Sequence, residues 1–254
     1  MSAAVGLAEV FTSFQGEGPL VGVRQVFVRV RGCDLNCLYC DTPQARDPSG
    51  ACRIEQSAGA REFLDSSNPF TAQRVFADVP VLRDAPASTC GIHSLALTGG
   101  EPLLNPHFVR ELAHEAGRRG LSVYLETGGH RPQELARVID AVSYVSMDFK
   151  LPSTLAEAID PALFAESYRV ALGGWVAVKM VLTQGTDADE VSDACRLLAE
   201  VSPAGPVILQ PVTPGRAGVQ PPEDSRLREM FNAACGSIHD VRVIPQCHTI
   251  LGVL

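Results

Sequence analysis

The sequence predicts an α/β fold, an incomplete (β/α) barrel whose parallel strands carry the functional site at their carboxyl ends. Two observations predict this class. From His93 onward, apolar segments of strand composition alternate with helical segments, which favours parallel strands joined by right-handed crossovers. Glycines and polar residues follow several of these strands, and the chemistry of such folds lies at that edge. About seven strands and five or six helices fit an incomplete barrel.

The individual elements follow from local composition. The first strand is predicted at Arg24–Val30, which is rich in β-branched residues. Later strands are expected at Ser94–Thr98, Ser122–Glu126, Tyr144–Phe149, Trp175–Leu182, Pro206–Gln210 and Val241–Ile244. Helical periodicity and helix-ending residues predict helices at Pro106–Arg119, Pro132–Val138, Pro161–Ala171, Asp189–Glu200 and Ser225–Ala234.

Residues 44–92 have a different composition, with several prolines and glycines separated by charged residues. Such a segment predicts an irregular insertion, with one short helix near Gln56–Leu64. The remaining pattern is continuous, so we expect a single domain spanning residues 1–254.

Composition excludes several classes of protein. Nearly half of the residues are hydrophobic, and the net charge is -8, so a broad nucleic-acid surface is not expected. The N-terminus lacks the charged and apolar regions of a signal peptide. No apolar run reaches the length of a membrane span. We therefore expect a cytoplasmic protein without nucleic-acid or membrane partners.

Three of the eight cysteines are crowded into the segment RGCDLNCLYCDTP. Cys33, Cys37 and Cys40 follow the first predicted strand with the spacing C-x3-C-x2-C, which favours a metal or cluster site over disulfides. A structural zinc ion normally needs four ligands, and the fourth would have to be Cys247 or His248. A [4Fe–4S] cluster held by three cysteines instead leaves one iron open for a small molecule.

This cysteine spacing, with Tyr39 before the last cysteine, resembles that of the radical S-adenosylmethionine (SAM) enzymes. The sequence GGEP at residues 99–102, after a predicted strand, resembles a second motif of that superfamily. The resemblance implies that the open iron binds the methionine part of SAM. One electron from the cluster would then cleave the sulfonium and release a 5′-deoxyadenosyl radical.

Further segments resemble the 7-carboxy-7-deazaguanine synthase family: FTSFQGEGPLVG at 11–22, CDT at 40–42, SMDFKLPS at 146–153 and LQP at 209–211. The resemblance implies a carbon–nitrogen lyase of queuosine and 7-deazapurine biosynthesis. It would convert 6-carboxy-5,6,7,8-tetrahydropterin to 7-carboxy-7-deazaguanine with loss of ammonia, using SAM, a [4Fe–4S] cluster and Mg²⁺. It further implies a homodimer and a flavodoxin- or ferredoxin-type reductant.

The resemblance also implies roles for individual residues. Cys33, Cys37 and Cys40 would hold the catalytic cluster, and Thr42 would bind Mg²⁺. The positions implied for SAM are Gly100, Ser146, Asp148, Lys150 and Gln210. Those implied for the substrate are Phe14, Gln15, Gly16, Glu17, Arg29, Thr98, Glu126, His248 and Leu254.

Several of these residues have simpler interpretations. Thr42 and Glu126 could cap turns or helices, and Asp148 and Lys150 could form a local ion pair. The tail QCHTILGVL keeps His248 but has Thr249 and Ile250 where the family often has a Lys-Tyr pair.

Two other functions compete. A glycyl-radical-enzyme activase would share the cysteine spacing but would not need FQGEG or CDT. A zinc-stabilised binding module would perform no catalysis.

Overall fold

A computed structural model describes residues 2–83, 91–214 and 218–254. It has twelve strands: β1 Ala4–Val5, β2 Leu7–Phe14, β3 Arg24–Val30, β4 Cys52–Glu55, β5 Phe63–Ser66, β6 Phe70–Thr71, β7 Ser94–Gly99, β8 Ser122–Thr127, β9 Tyr144–Asp148, β10 Trp175–Leu182, β11 Val207–Pro211 and β12 Val241–Val243. Its eight α-helices within the described residues are α1 Ala72–Asp78, α2 Pro80–Arg83, α3 Pro106–Arg118, α4 Pro132–Ala136, α5 Ala162–Ala171, α6 Ala188–Ala199, α7 Asp224–Cys235 and α8 Cys247–Leu251.

Ten of the strands form one open sheet, in the order β12-β11-β10-β9-β8-β7-β3-β2-β4-β5. The seven strands from β12 to β3 pair in parallel, and they coincide with the seven predicted strands to within two residues at each end. The α/β class is thereby confirmed, and the sheet is not a closed barrel.

The two faces of this sheet differ in chemistry because side chains alternate along a strand. One face packs its Val, Leu and Met residues against the helices in the main core, as Val28, Leu97 and Met147 show. The opposite face carries a smaller aromatic cluster that includes Phe27 and Tyr124. Polar side chains such as Thr98, Glu126 and Lys179 lie towards the carboxyl ends of the strands and line a cavity there.

The N-terminal strand β2 is absent from the predicted elements. It pairs antiparallel with β3, through contacts such as Val10 with Val28. Its sequence LAEVFTSF is largely buried on both faces, so it lacks a clean alternation of apolar and polar residues. The glycines that follow it favour a turn and give no signal for the strand.

The predicted helix near Gln56–Leu64 is wrong. The segment holds a turn and β5, which pairs antiparallel with β4. The carboxylate of Glu55 is fully buried and accepts hydrogen bonds from the backbone N–H groups of Thr12, Gly59 and Arg61 at 2.8–3.1 Å. These bonds hold the turn, and a helix could not supply the same donors.

The rest of the 44–92 segment is more regular than predicted. It contributes β4, β5, β6, α1 and α2, so its described residues do not form an irregular insertion. The prediction also covered residues 84–90, which lie outside the described residues. Within the portion of the chain that the structure covers, no helix combines the length and hydropathy needed to cross a membrane.

The turn held by Glu55 leads to a stability prediction. Glu55→Ala leaves three backbone donors without their acceptor, so we expect the free energy of unfolding to fall by about 2–3 kcal/mol. Urea denaturation followed by circular dichroism measures this change. Glu62→Ala removes an exposed carboxylate from the same turn and should change stability by less than about 0.5 kcal/mol. Equal effects of the two substitutions would contradict the assignment.

Candidate active site

One open cavity lies at the carboxyl ends of the parallel strands, with about 1200 Å³ of empty space including its mouth. Its wall combines strand ends, the cysteine loop, the loop after β2 and the C-terminal tail. Every site residue predicted from the sequence lines it except Ser146: Phe14, Gln15, Gly16, Glu17, Arg29, Cys33, Cys37, Cys40, Thr42, Thr98, Gly100, Glu126, Asp148, Lys150, Gln210, His248 and Leu254. Ser146 is buried beneath the cavity, near the Tyr124 hydroxyl.

The cysteine loop presents three partly exposed thiols, and none of them is in a disulfide. Burial raises the pKa of Cys33 to about 11 and also raises the pKa of Cys37. Iron binds cysteine as the thiolate, so cluster binding must displace the protons that these raised pKa values favour. Among the described residues that line the cavity, no fourth cysteine is present. This donor set fits a [4Fe–4S] cluster with one open iron.

The GGEP turn packs directly against the cysteine loop. Gly100 donates from its backbone to Val30 O at 2.9 Å, and Glu101 donates to Gly32 O at 2.8 Å. A Cβ atom on Gly100 would lie 1.8 Å from Gly32 O, so only glycine permits this approach. The turn therefore fixes the backbone that leads into Cys33.

Glu101 within this turn is a structural residue. Its carboxylate accepts from the Thr127 hydroxyl at 2.9 Å and from the Gly128 backbone at 2.7 Å. It also accepts from Leu103 N at 2.9 Å. Burial raises its pKa. The side chain joins the ends of β7 and β8 and leaves the glycine backbone to face the cavity.

A second group of polar side chains forms the wall around Glu126. The Thr98 hydroxyl donates to its carboxylate at 2.6 Å, and the Gln15 amide donates at 2.9 Å. Gln15 also accepts from the backbone N–H of Glu17 at 3.0 Å. Burial raises the pKa of Glu126, against the opposing effect of the Lys179 ammonium. These contacts make Glu126 an acceptor held at the cavity wall.

Arg29 lies on the same wall, on the cavity face of β3. It donates through Nε to Glu9 at 3.0 Å, and its guanidinium lies 5.9 Å from the centre of the Phe11 ring. Phe11 stacks on Phe27 with ring centres 5.1 Å apart. The arginine is thus a cation above an aromatic floor, with donors remaining for an anion.

Four charged side chains connect the two sides of the cavity. Lys179 on β10 pairs with Glu17 and also contacts Asp148 Oδ1 at 3.2 Å. Lys150 donates to Asp148 Oδ2 at 2.6 Å and to the Tyr39 hydroxyl at 2.9 Å. Despite burial, the attraction of Asp148 holds the pKa of both lysines well above the usual range. Burial alone would raise the pKa of Glu17, but the Lys179 ammonium lowers it to about 2.

The C-terminal segment closes the cavity from the side of the β2 loop. Helix α8 begins where Cys247 N donates to Gly16 O at 2.8 Å, and a Cβ on Gly16 would lie 2.4 Å from His248 Cβ. Gln246 donates to Glu17 Oε1 at 2.8 Å. The Ser13 hydroxyl donates to Leu254 O at 2.8 Å, which holds the chain end at the cavity.

The residues present also fit a magnesium ion. Ligand atoms of Glu17, Asp41 and His248 lie within 4.8 Å of one another, and Asp41 directly precedes Thr42. Carboxylate and hydroxyl oxygens are the ligands that Mg²⁺ prefers. Both oxygens of Glu17 accept from Lys179 and Gln246. Asp41 and Thr42 are adjacent in the chain and offer a carboxylate and a hydroxyl as candidate ligands.

SAM is also compatible with the cavity. Gln210 Oε1 is buried at the cavity wall and has no hydrogen-bond partner. A buried acceptor of this kind is costly unless a donor reaches it. An amino group or hydroxyl of a bound ligand would supply that donor.

Several cavity residues were not among the predicted site residues, and Asp41, Lys179 and Gln246 are the ones among them that offer charged or amide groups to the site. Lys179 carried a readable signal, because a charged side chain is unusual in the apolar strand WVAVKMVL, as Arg29 is in the strand Arg24–Val30. Asp41 lies beside Thr42 in CDT, although it was not singled out. Gln246 gave no local signal, since its role depends on Glu17, 229 residues away along the chain.

Comparison with known protein families identifies the superfamily to which the chain belongs. Residues 27–201 match the Radical SAM superfamily, so the chain belongs to that superfamily. The zinc-binding module is not favoured, and the family's [4Fe–4S] cluster and SAM fit the cavity.

Relatives that align over nearly their whole length identify the family within this superfamily. The chain is 40% identical to the 7-carboxy-7-deazaguanine synthase of Geobacter sulfurreducens, covering 98% of this chain and 97% of the relative. It is 34% identical to the synthase of Methanothermobacter thermautotrophicus, with 97% of each chain covered. The crystal structure of QueE from Escherichia coli superposes with a TM-score of 0.61 at 19% identity, over 96% of this chain and 95% of that one, which supports the fold. The chain belongs to the 7-carboxy-7-deazaguanine synthase family, and an activase is not favoured.

The raised pKa of Glu126 leads to a prediction about pH and stability. An acid whose pKa is raised by folding contributes stability that is fully present below its unfolded pKa, near 4.5, and is lost as pH rises through the folded pKa. Glu126→Gln should therefore gain stability relative to the parent protein as pH rises from 5 to 8. Urea denaturation at the two pH values measures this difference.

Glu62→Gln removes an exposed carboxylate and corrects for the change in net charge. The contrary result is a difference in the free energy of unfolding between Glu126→Gln and the parent that stays the same, or shrinks, as pH rises. It would show that burial does not destabilise the ionised Glu126 carboxylate.

Proposed function

We propose that this protein contracts the ring of 6-carboxy-5,6,7,8-tetrahydropterin to give 7-carboxy-7-deazaguanine and ammonia. The observation that carries the proposal is the single cavity that joins the three cysteines to the segments FQGEG and CDT. An activase would need the cysteine loop but not this lining. Full-length similarity to proteins named 7-carboxy-7-deazaguanine synthase supports the same reaction.

Cys33, Cys37 and Cys40 would hold the cluster, whose open iron would bind SAM. When bound, the cluster and SAM supply the radical that removes hydrogen from C6 of the pterin. Gly100 would present its backbone to the methionine part of SAM. Asp148, Lys150 and Gln210 would contact the rest of the molecule, with Ser146 contributing from below the cavity.

The substrate would lie between the aromatic floor and the C-terminal tail. Its carboxylate would be bound by Arg29 and by Mg²⁺ on Thr42 and Asp41. Its pyrimidine edge carries N–H donors, and the carboxylates of Glu126 and Glu17 can accept hydrogen bonds from them. The remaining contacts proposed for the substrate come from Phe14, Gln15, Gly16, Thr98, His248 and Leu254.

The protein's own side chains would restrict where the radical reacts. The tail residues His248 and Leu254 lie at the cavity wall. Thr98 and Gln15 hold Glu126 in place, so the pterin edge meets an oriented acceptor. A fixed substrate keeps one C–H bond next to the radical source, which is the contribution of positioning to catalysis.

Assembly and location complete the proposal. The enzyme would act as a single-domain subunit of a homodimer in the cytoplasm and receive electrons from a flavodoxin- or ferredoxin-type protein. An apolar surface on the last helix supports self-association, since Ile250 is 73% exposed and Leu251 is also exposed. Neither nucleic acid nor a membrane is proposed as a partner.

The reaction itself provides the first test. Anaerobically reconstituted protein, supplied with the carboxypterin, SAM, Mg²⁺ and dithionite, should form 7-carboxy-7-deazaguanine and ammonia. Cys37→Ala should abolish turnover and lower the bound iron, because the cluster loses one of its three thiolates. Cys235→Ala changes an exposed cysteine outside the cavity and should retain activity. Absence of the deazaguanine product with a fully loaded cluster would refute the function.

The metal site provides a second test. Asp41→Asn removes a carboxylate beside Thr42, so the Mg²⁺ concentration for half-maximal activity should rise about tenfold. Asp47→Asn is the control, because Asp47 is an exposed residue that accepts from Ser49 in the same loop. An unchanged Mg²⁺ requirement in Asp41→Asn would remove Asp41 from the metal site.

A further inference from the structure

Lys179 occupies an unusual place in the sheet. It lies in the middle of the apolar strand β10 and in register with Asp148 of β9. Its neighbours Val178 and Met180 point into the main core, so Lys179 points to the cavity, where it is only 9% exposed. A lysine is rarely buried without a partner, and its surroundings therefore indicate its role.

The partners of Lys179 belong to different parts of the cavity. The first is Glu17, in the loop that contains FQGEG. The second is Asp148, at the strand end beside the cysteine loop, where the Asp148 carboxylate also holds Lys150. Lys150 in turn donates to Tyr39, between Cys37 and Cys40. One ammonium thus links the proposed substrate loop to the proposed cofactor strand.

The carboxylates on both sides of this link depend on the positive charge of Lys179. Glu17, Glu126 and Asp148 converge on Lys179, and all three attract its ammonium. Without the ammonium, Glu17 would lose its lysine partner and keep its hydrogen bond from Gln246, and Asp148 would keep Lys150. Removing one member of a buried ion pair leaves the other charge uncompensated. The carboxylates of Glu17 and Asp148 would then move apart or take up protons.

We propose that Lys179 is a positioning residue that sets the Glu17 and Asp148 carboxylates together, so that one side chain supports binding of both the pterin and SAM. This inference rests on the proposed function, because it uses the assignment of Glu17 to the pterin side and Asp148 to the SAM side. Gln246 differs in this respect. It contacts Glu17 but not Asp148, so it supports the pterin side alone.

Binding measurements separate the two roles. Equilibrium dialysis of cluster-loaded protein with Mg²⁺ and without reductant gives a Kd for the carboxypterin and a Kd for SAM in the absence of turnover. Lys179→Met should raise both values about tenfold or more. Gln246→Leu is the matched control, since it should raise the Kd for the pterin and leave the Kd for SAM within about twofold.

A double variant keeps the test valid if Lys179→Met folds poorly. Glu17→Gln/Lys179→Met removes both members of the pair and leaves Asp148 with Lys150. It should bind the pterin no more weakly than Glu17→Gln alone, because both changes act through one contact. Its Kd for SAM should remain raised, whereas Glu17→Gln alone should leave SAM binding near the parent value.

The outcomes are distinct. A folded Lys179→Met that keeps both Kd values, or that weakens only the pterin as Gln246→Leu does, would overturn the inference. A loss of folded protein with unchanged Kd values in the remaining fraction would also overturn it, since that is the result of a purely structural role. If the parent protein itself does not bind the carboxypterin, the proposed function fails instead.

Discussion

Side chains of alternating charge form a continuous row along the cavity wall, from Glu17 through Lys179, Asp148 and Lys150 to the Tyr39 hydroxyl. Each member is sequestered from most of the solvent, so each depends on its neighbours for compensation. The row begins in a loop near the N-terminus and ends in the cysteine loop, and its lysines come from two other parts of the chain. Its geometry therefore requires the whole sheet to be in register.

The parallel sheet supplies that register. Its strands end at one edge, so residues far apart in sequence meet there. Gly100 allows the turn after β7 to lie against Gly32, which brings the cysteine loop to the same edge. The tail returns to the edge through the bond between Cys247 N and Gly16 O. The residues proposed for the cluster, for SAM and for the substrate can therefore share one wall.

Much of this arrangement was readable from the sequence. The parallel strands have strong apolar patterns, and the cysteines and GGEP are local motifs whose spacing identifies the chemistry. Strand β2 was missed because burial on both faces hides its period, and the helix near Gln56–Leu64 was wrong because Glu55 holds a turn through distant backbone groups. Lys179 and Gln246 were missed because their partner Glu17 is distant in the chain, through an ion pair for Lys179 and a hydrogen bond for Gln246. No short motif contains such a partner, although a lysine within an apolar strand is a local signal. The individual site assignments remain proposals that rest on shared position in the cavity.

The cysteine loop and the loop after β2 line one cavity, and we propose that both act on the same pterin molecule. The most direct test of this proposal uses carboxypterin carrying deuterium at C6, with SAM and reductant, followed by mass spectrometry of the SAM and 5′-deoxyadenosine recovered. Loss of ammonia alone converts the pterin to the deazaguanine, so the hydrogen removed must be returned, and the label can be found in either molecule. We expect deuterium in the adenosyl group of SAM or of 5′-deoxyadenosine, in an amount that rises with the deazaguanine formed. Formation of the deazaguanine with no deuterium in either molecule would contradict this expectation, because the radical would then not meet the substrate at that carbon.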